Sequence, residues 1–307
     1  MIHAPWRLGV LAFIFPVAEM ALKFYETPRG EVAYEKRGWG DPLLMVHSVY
    51  PGASHDEFRR NIESLSKHFT VYAIDLLGFG DSDMPRMTYT VEIYQHLLRD
   101  FIVEVIGKPT FVLASGVSCG PAVALAVYND TLVQKLVLID PVVDPSQTDQ
   151  PPRLAAKVQQ FLLGTLSLGH GLYDAVSSEF ELKRFLRSRY AHAKLATAER
   201  IAELRDLATQ RHALHAFVSQ MTGHLATEVG RWLRYVRCEV LILWGKEAGP
   251  VPTEKLLKPA TWSRGKRIEV IPDAAHWPHD EQSAKVNKMV IEFLNEERGK
   301  EDAKRKT

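Results

Sequence analysis

"ASGVSCGPAVALA", residues 114–126, decides how the rest of the chain is read. Just before it runs "PTFVL", apolar and strand-forming, and from Cys119 onward small apolar residues continue as a helix would. Gly116 and Gly120 stand two positions either side of Ser118. Where a strand turns straight into a helix the two backbones nearly touch, so the residues two before and two after the turn must be small. The pattern predicts Ser118 at such a turn, with Pro121 in the first helical turn. The N–H groups of the helix N-terminus would then lie beside the hydroxyl. A tight Gly-Ser turn without chemistry fits the same letters, and the flanking strand and helix favour the first reading.

Outward from the turn, short apolar runs alternate with helical patterns. "PLLMVHS" (42–48), "TVYAID" (70–75), "VQKLVLIDP" (133–141), "VRCEVLILWG" (236–245) and "KRIEVIPD" (266–273) read as strands, most of them buried on both faces. "KFYETPRGEVAYEKRG" (23–38) reads as a hairpin turned at Pro28-Arg29-Gly30. "EFRRNIESLSKHF" (57–69) puts Phe58, Ile62, Leu65 and Phe69 on one helical face, and "TVEIYQHLLRDFIVEVIG" (90–107) is a helix ended by Gly107. This alternation predicts an α/β fold with a mostly parallel sheet flanked by helices. Functional residues in such sheets gather at the carboxyl ends of strands, which here carry His47-Ser48-Val49, Asp75, Ser115 to Cys119 and Asp140. From 146 to 225 strand signals stop and helical periodicity takes over. The expected organisation is an extra N-terminal helix (1–22), a core from 23–145 and 226–299, a helical cap (146–225) and a charged tail (300–307).

Composition narrows the function classes. A chain of 307 residues, 46% hydrophobic and 24% charged, holds one large core with an insertion, or two domains. Its formal charge of +1 comes from scattered, balanced Lys/Arg and Asp/Glu, which argues against a nucleic-acid partner. Cys119 and Cys238 sit in no metal-binding spacing and read as small hydrophobes in a reduced, cytoplasmic protein. The Gly-rich turns match neither dinucleotide nor phosphate-loop fingerprints, so no cofactor or metal is expected. The apolar "LGVLAFIFPVAEMAL" (8–22) is too short and too interrupted to span a bilayer. It reads first as an extra helix packed on the domain, with peripheral membrane contact or a secretion signal as alternatives.

Taken together these motifs resemble the α/β-hydrolase superfamily over nearly the whole chain. "LLMVHS" looks like its oxyanion strand, "VYAIDLLGFGDSDMP" its next strand and turn, and "FVLASGVSCGPAVALA" its nucleophile elbow. "LVLIDP", "VLILWGKEAGPVP" and "IEVIPDAAHWPHDEQ" are similar to its last three strands with their loops. The resemblance implies Ser118 as nucleophile and His276 as general base, with His279 as the fallback. It implies backbone N–H groups of Val49 and Cys119 as oxyanion donors, and His47, Ser48 and Trp277 at the substrate pocket. Three departures stand out. Ala248 occupies the usual place of the acid, leaving Asp140 as first choice, Glu247 as second, or no acid at all. Ser48 replaces a usual Gly, either crowding the pocket or donating a hydrogen bond. The strand end before Ser118 is about one residue long, which makes Ser115 a strand-end filler or a second hydroxyl. "HS" paired with "G-x-E-A" resembles an atypical subset of the family. The implied function is a serine hydrolase cleaving small to medium apolar carboxylic esters through an acyl-enzyme. A lactonase or C–C bond hydrolase with the same site is one alternative, and a ligand-binding protein on a degenerate scaffold is another.

Overall fold

A computed structural model describes residues 22–142, 168–249 and 265–305 of the chain. Residue 22 apart, the helix expected over 1–22 lies outside them, and so do residues 146–167 of the expected cap.

The strands are β1 (Lys23–Thr27), β2 (Gly30–Arg37), β3 (Pro42–Val46), β4 (Thr70–Ile74), β5 (Thr110–Ser115), β6 (Val133–Ile139), β7 (Glu239–Gly245) and β8 (Lys266–Ile271). They form one sheet in the order β1-β2-β4-β3-β5-β6-β7-β8. β1–β2 and β2–β4 pair antiparallel, and every later pair is parallel. The β1–β2 register closes at Thr27 opposite Gly30, so the hairpin turns where the sequence places it.

Side chains alternate across a strand with a period of two, and here the period separates two cores. Leu44 and Val46, Val112 and Ala114, Leu136 and Leu138, and Val240 and Ile242 face one core. It is completed by the helices Val91–Asp100 and Cys119–Tyr128 and by cap residues such as Leu182, Leu186 and Leu204. Leu43, Met45, Phe111, Leu113, Val137, Ile139, Leu241 and Leu243 face the other, against Phe58, Leu65 and the C-terminal helix Ser283–Arg305. Because both faces are covered, the central strands read as unbroken apolar runs rather than alternating ones.

Two helical expectations are modified. Residues 57–69 do not form one helix: a 3-10 turn (His55–Phe58) is followed by a single α-turn (Ile62–Leu65). The break coincides with side chains committed elsewhere. Asn61 donates to His279 O and to Asn287 Oδ1, while Arg59 and Arg60 reach Asp280. The 90–107 helix is capped by Thr90, whose Oγ1 accepts the Ile93 N–H, and loosens to a wider π-type turn over Phe101–Ile106. It ends where Gly107 takes φ +76°. Between β6 and β7 the described chain is helical: Leu168–Val176, Glu179–Arg189, Ala198–Ala208 and Leu214–Met221 arch over the carboxyl ends of the strands. No helix among the described residues is long and apolar enough to cross a membrane.

Candidate active site

The sharp turn after β5 is centred on Gly116. Ser115 is still extended, Gly116 takes φ +51°, and a 3-10 turn (Gly116–Ser118) leads into the Cys119–Tyr128 helix. A side chain is rarely tolerated at that φ, and the space confirms the constraint: a Cβ on Gly116 would stand 2.2 Å from Ser48 Oγ and 3.0 Å from Ser48 Cβ. Gly120 answers a different need. A Cβ there would stand 2.5 Å from Thr227 Oγ1, so this glycine lets the segment leading back from the cap approach the helix rather than the strand.

Ser118 therefore lies two residues past the bend. It is fully buried, its Oγ donates to His47 O at 2.6 Å, and it is absent from the wall of the cavity described below. Cys119 is likewise turned inward. Its N–H, expected at the oxyanion, is spent on the carbonyls of Gly116 and Val117. Its thiol donates to Ala114 O at 3.3 Å, and burial pushes it well above the ordinary thiol range. The N–H that does face a pocket oxygen belongs to Val117, which donates to Ser48 Oγ at 3.3 Å.

His276 and Asp140 meet. His276 Nδ1 lies 2.7 Å from Asp140 Oδ2. Asp140 ends β6, anchored by its own N–H on Leu243 O, in the left-handed region at φ +46°. Such a conformation costs a non-glycine residue of order 1 kcal/mol and persists where the surroundings dictate it. His276 is fixed from the cap, its N–H donating to Arg189 O at 3.0 Å. Since an ionised carboxylate only accepts, Nδ1 carries the proton toward Asp140 and Nε2 is left free. Glu247 is elsewhere: its Oε2 accepts the Ala274 N–H at 2.9 Å, bracing the loop that carries His276.

Of the remaining candidates, Ser48, Val49 and Trp277 line the cavity. Trp277 packs against Tyr50, Phe185 and Tyr190. His47 does not line it. Its Nε2 accepts the Leu76 N–H at 3.0 Å, so Nδ1 is the donor to Ser48 O at 2.7 Å, and burial lowers its pKa. The ring is a strut between the ends of β3 and β4. His279 is also buried, beneath Phe58, with Nε2 3.5 Å from Glu57 Oε1; burial pushes it down to about 4 and keeps it neutral. Glu57, pushed up by burial to about 7 against the hydrogen bonds it accepts, takes the Ser48 N–H at 3.0 Å.

The cavity encloses about 620 Å³ between the strand ends and the cap. Val142, Val176, Leu182, Phe185 and Phe217 give it an apolar wall, and Ser48, Asp140 and His276 lie at its floor. Arg189, on the cap side, has no carboxylate partner at ion-pair distance among the described residues and stacks its guanidinium over Phe185 at 5.3 Å. No sequence signal marks Arg189, because an Arg on a cap helix looks like any solvated charge. Among the described residues no group of three or more His, Cys, Asp or Glu is placed to hold a metal ion.

Residues 43–289 match the model of the Alpha/beta hydrolase family. The chain belongs to that family. Alpha/beta hydrolases similar to it include 2-hydroxy-6-oxononadienedioate/2-hydroxy-6-oxononatrienedioate hydrolases. The protein of that name from Cupriavidus pinatubonensis is 26% identical over 260 residues, covering 83% of this chain and 86% of that protein. That from Paraburkholderia xenovorans is 26% identical over 275 residues, covering 86% and 91%. Among solved structures, a meta-cleavage product hydrolase shares the fold with a TM-score of 0.72 at 22% identity, over 89% of this chain and 98% of that one. In this alpha/beta hydrolase the imidazole of His276 and the carboxylate of Asp140 are in contact beneath the helices that follow β6.

Proposed function

We propose that this chain hydrolyses a carbon–carbon bond next to a carbonyl in an anionic oxo acid. One observation carries the reading: the His276–Asp140 pair opens into an apolar cavity whose cap side bears Arg189, a cation that feels Asp140 but forms no ion pair at contact distance among the described residues. A neutral ester needs no such cation. A dienoate with a 2-hydroxy and a 6-oxo group, the class named for the relatives, supplies a carboxylate for it. The ester reading drawn from the sequence uses the same base and acid, and it ranks second because it leaves Arg189 without a role.

His276 Nε2 takes the proton of the attacking hydroxyl, and Asp140 holds the Nδ1 proton and stabilises the imidazolium. The proton then goes to the leaving carbon. A carbanion is a poor leaving group unless its charge spreads into a carbonyl, and the enol–oxo conjugation of such an acid provides that spread. The apolar wall limits water, which keeps the imidazolium–carboxylate attraction strong.

The test is turnover of 2-hydroxy-6-oxononadienedioate, followed by the fading of dienolate absorbance and the appearance of two carboxylic acids, beside p-nitrophenyl butyrate. Faster turnover of the dienedioate, lost in His276→Ala, supports the proposal. Ester turnover with an inert dienedioate overturns it in favour of the esterase. A third reading, ligand binding without turnover, is favoured by Gly116, which gives the sharp turn no side chain. It would show as dienedioate binding with neither compound consumed.

A further inference from the structure

We propose that Ser48, at the end of the oxyanion strand, supplies the attacking hydroxyl of this site in place of any residue on the β5 turn. The inference rests on the hydrolase reading and on His276 as base, but not on which bond is cleaved.

The turn itself has nothing to attack with. Its central residue is Gly116, and the side chain that would project from it is replaced in space by Ser48, whose Oγ stands 2.2 Å from where that Cβ would be. Ser48 thus fills, from the neighbouring strand, the volume a side chain at the turn would fill. Its backbone is fixed on both sides: the N–H donates to Glu57 Oε2 at 3.0 Å and the carbonyl accepts from His47 Nδ1 at 2.7 Å. The hydroxyl is held too, with Oγ accepting the Val117 N–H at 3.3 Å, which favours negative charge on that oxygen as its proton leaves.

Access separates Ser48 from the other two serines. Ser48 and His276 line the same cavity, and Ser48 keeps 8% of its surface exposed. Ser118 is fully buried, outside the cavity wall, with its proton committed to His47 O. Ser115 touches the cavity wall but is fully buried as the last residue of β5.

The step balances without a co-reactant other than water. Ser48 Oγ bonds to the carbonyl carbon while its proton passes to His276 Nε2, and the carbonyl π pair moves onto oxygen. Collapse of that oxyanion expels the leaving carbon as an enolate, or an ester's leaving oxygen, which takes the proton from His276. Water, deprotonated by the same imidazole, adds to the acyl carbon, and the Ser48 Oγ–C bond breaks with return of the proton to Oγ.

The full chain is treated with a fluorophosphonate probe, which needs an activated hydroxyl and little substrate fit, and the label is located by peptide fragmentation. The expected result is a label on Ser48, abolished in Ser48→Ala, slowed at least a hundredfold in His276→Ala, and still on Ser48 in Ser118→Ala. If Ser48→Ala fails to fold, Ser48→Cys keeps the volume, and iodoacetamide alkylation at position 48 that depends on His276 gives the same answer. The double variant Ser48→Gly/Gly116→Ser should move the label to position 116. A label on Ser118 or Ser115 of the unaltered chain overturns the proposal. So does a folded chain that turns over ester or dienedioate without being labelled. Failure of the carbon–carbon reading shows separately, in the ratio of dienedioate to ester turnover.

Discussion

His276 Nδ1 lies 2.7 Å from Asp140 Oδ2, across 136 residues of sequence, while Glu247, next to Ala248 where an acid is usual, faces away to the Ala274 N–H. The carboxylate that meets His276 thus follows β6 and does not come from the loop after β7. Asp140→Asn should lower kcat by roughly 10⁴, as the same change does in serine proteases, because the imidazolium loses its partner and its orientation. Glu247→Gln should change kcat by less than about tenfold, since its amide oxygen still accepts from Ala274. Steady-state kinetics of the two variants decide it; a larger effect at Glu247 would make that residue the acid.

Arg189 should act on affinity for charged substrates only. A hydrogen bond to a charged group contributes about 1.5–3 kcal/mol, roughly 10- to 150-fold. Arg189→Met should raise KM for the dienedioate within that range and leave KM for a neutral ester nearly unchanged. Equal losses on both compounds would mean that Arg189 only supports the cap.

The Asp75–His55 pair makes stability depend on pH. Both His55 N–H and Nδ1 meet Asp75 Oδ1, at 2.6 and 2.8 Å, and the Asp81 N–H meets Oδ2. Burial opposes both charges, but their mutual hydrogen bond and attraction outweigh it: Asp75 is held below the ordinary carboxylate range and His55 is pushed up to about 9. A raised histidine stabilises fully below its unfolded value of about 6.5 and loses that contribution as pH rises through about 9. A depressed carboxylate stabilises above its unfolded value of about 3.9 and loses it as pH falls. Urea denaturation at pH 6, 7.5 and 9.5 should therefore show the difference between the native chain and His55→Gln shrinking as pH rises. A difference constant across that range would place no charge on His55.

How much of this was legible in the sequence follows from the range over which each residue is constrained. The inner strands were readable because burial on both faces leaves an unbroken apolar run such as Leu43–Val46, a local signal. The break at Arg59–Asn61 was not, because the partners of those side chains, Asp280, His279 and Asn287, are more than 200 residues away. The turn was placed two residues late for a different reason. Glycine serves both for close approach and for positive φ, and the letter does not say which: the pattern makes Gly116 clearance beside Ser118, whereas it is the bend itself. The hint lay in the strand end that looked one residue too long. Asp140 stands at a strand end, where the fold collects its chemistry, and His276 is readable through the resemblance of the loop after the last strand. Arg189 had no such frame.

Asp280 joins cap and core. Its Oδ2 accepts from Tyr190 Oη at 2.5 Å and from Arg59 Nη2 at 2.9 Å, and Oδ1 lies 3.1 Å from Arg60 Nε. Its side chain is 2% exposed, and Tyr190 directly follows the helix that carries Arg189. Asp280→Ala leaves the buried Tyr190 hydroxyl and the partly exposed Arg59 unpaired and should cost about 1–3 kcal/mol in urea denaturation. Tyr190→Phe should cost about 1 kcal/mol and loosen the cap, read as faster hydrogen exchange over Glu179–Arg189 with β5 and β6 unchanged. Equal exchange in all three segments would show that the contact stabilises the whole domain rather than the cap.

Gly116 and Ser48 compete for one volume, and that competition is measurable as a coupling. Gly116→Ala meets two costs: a left-handed backbone, about 1 kcal/mol for a residue with a Cβ, and a clash with Ser48 Oγ and Cβ, about 1–3 kcal/mol for an overpacked site. Ser48→Gly alone removes the Val117 hydrogen bond and should cost about 1 kcal/mol. In the double variant the clash is gone while the backbone cost remains, so its loss of stability should be smaller than the sum of the two single losses by about 1–2 kcal/mol. Strict additivity would mean that Ser48 swings clear at no cost. It would also mean that the hydroxyl is not held at the turn, which removes the geometric basis for its attack.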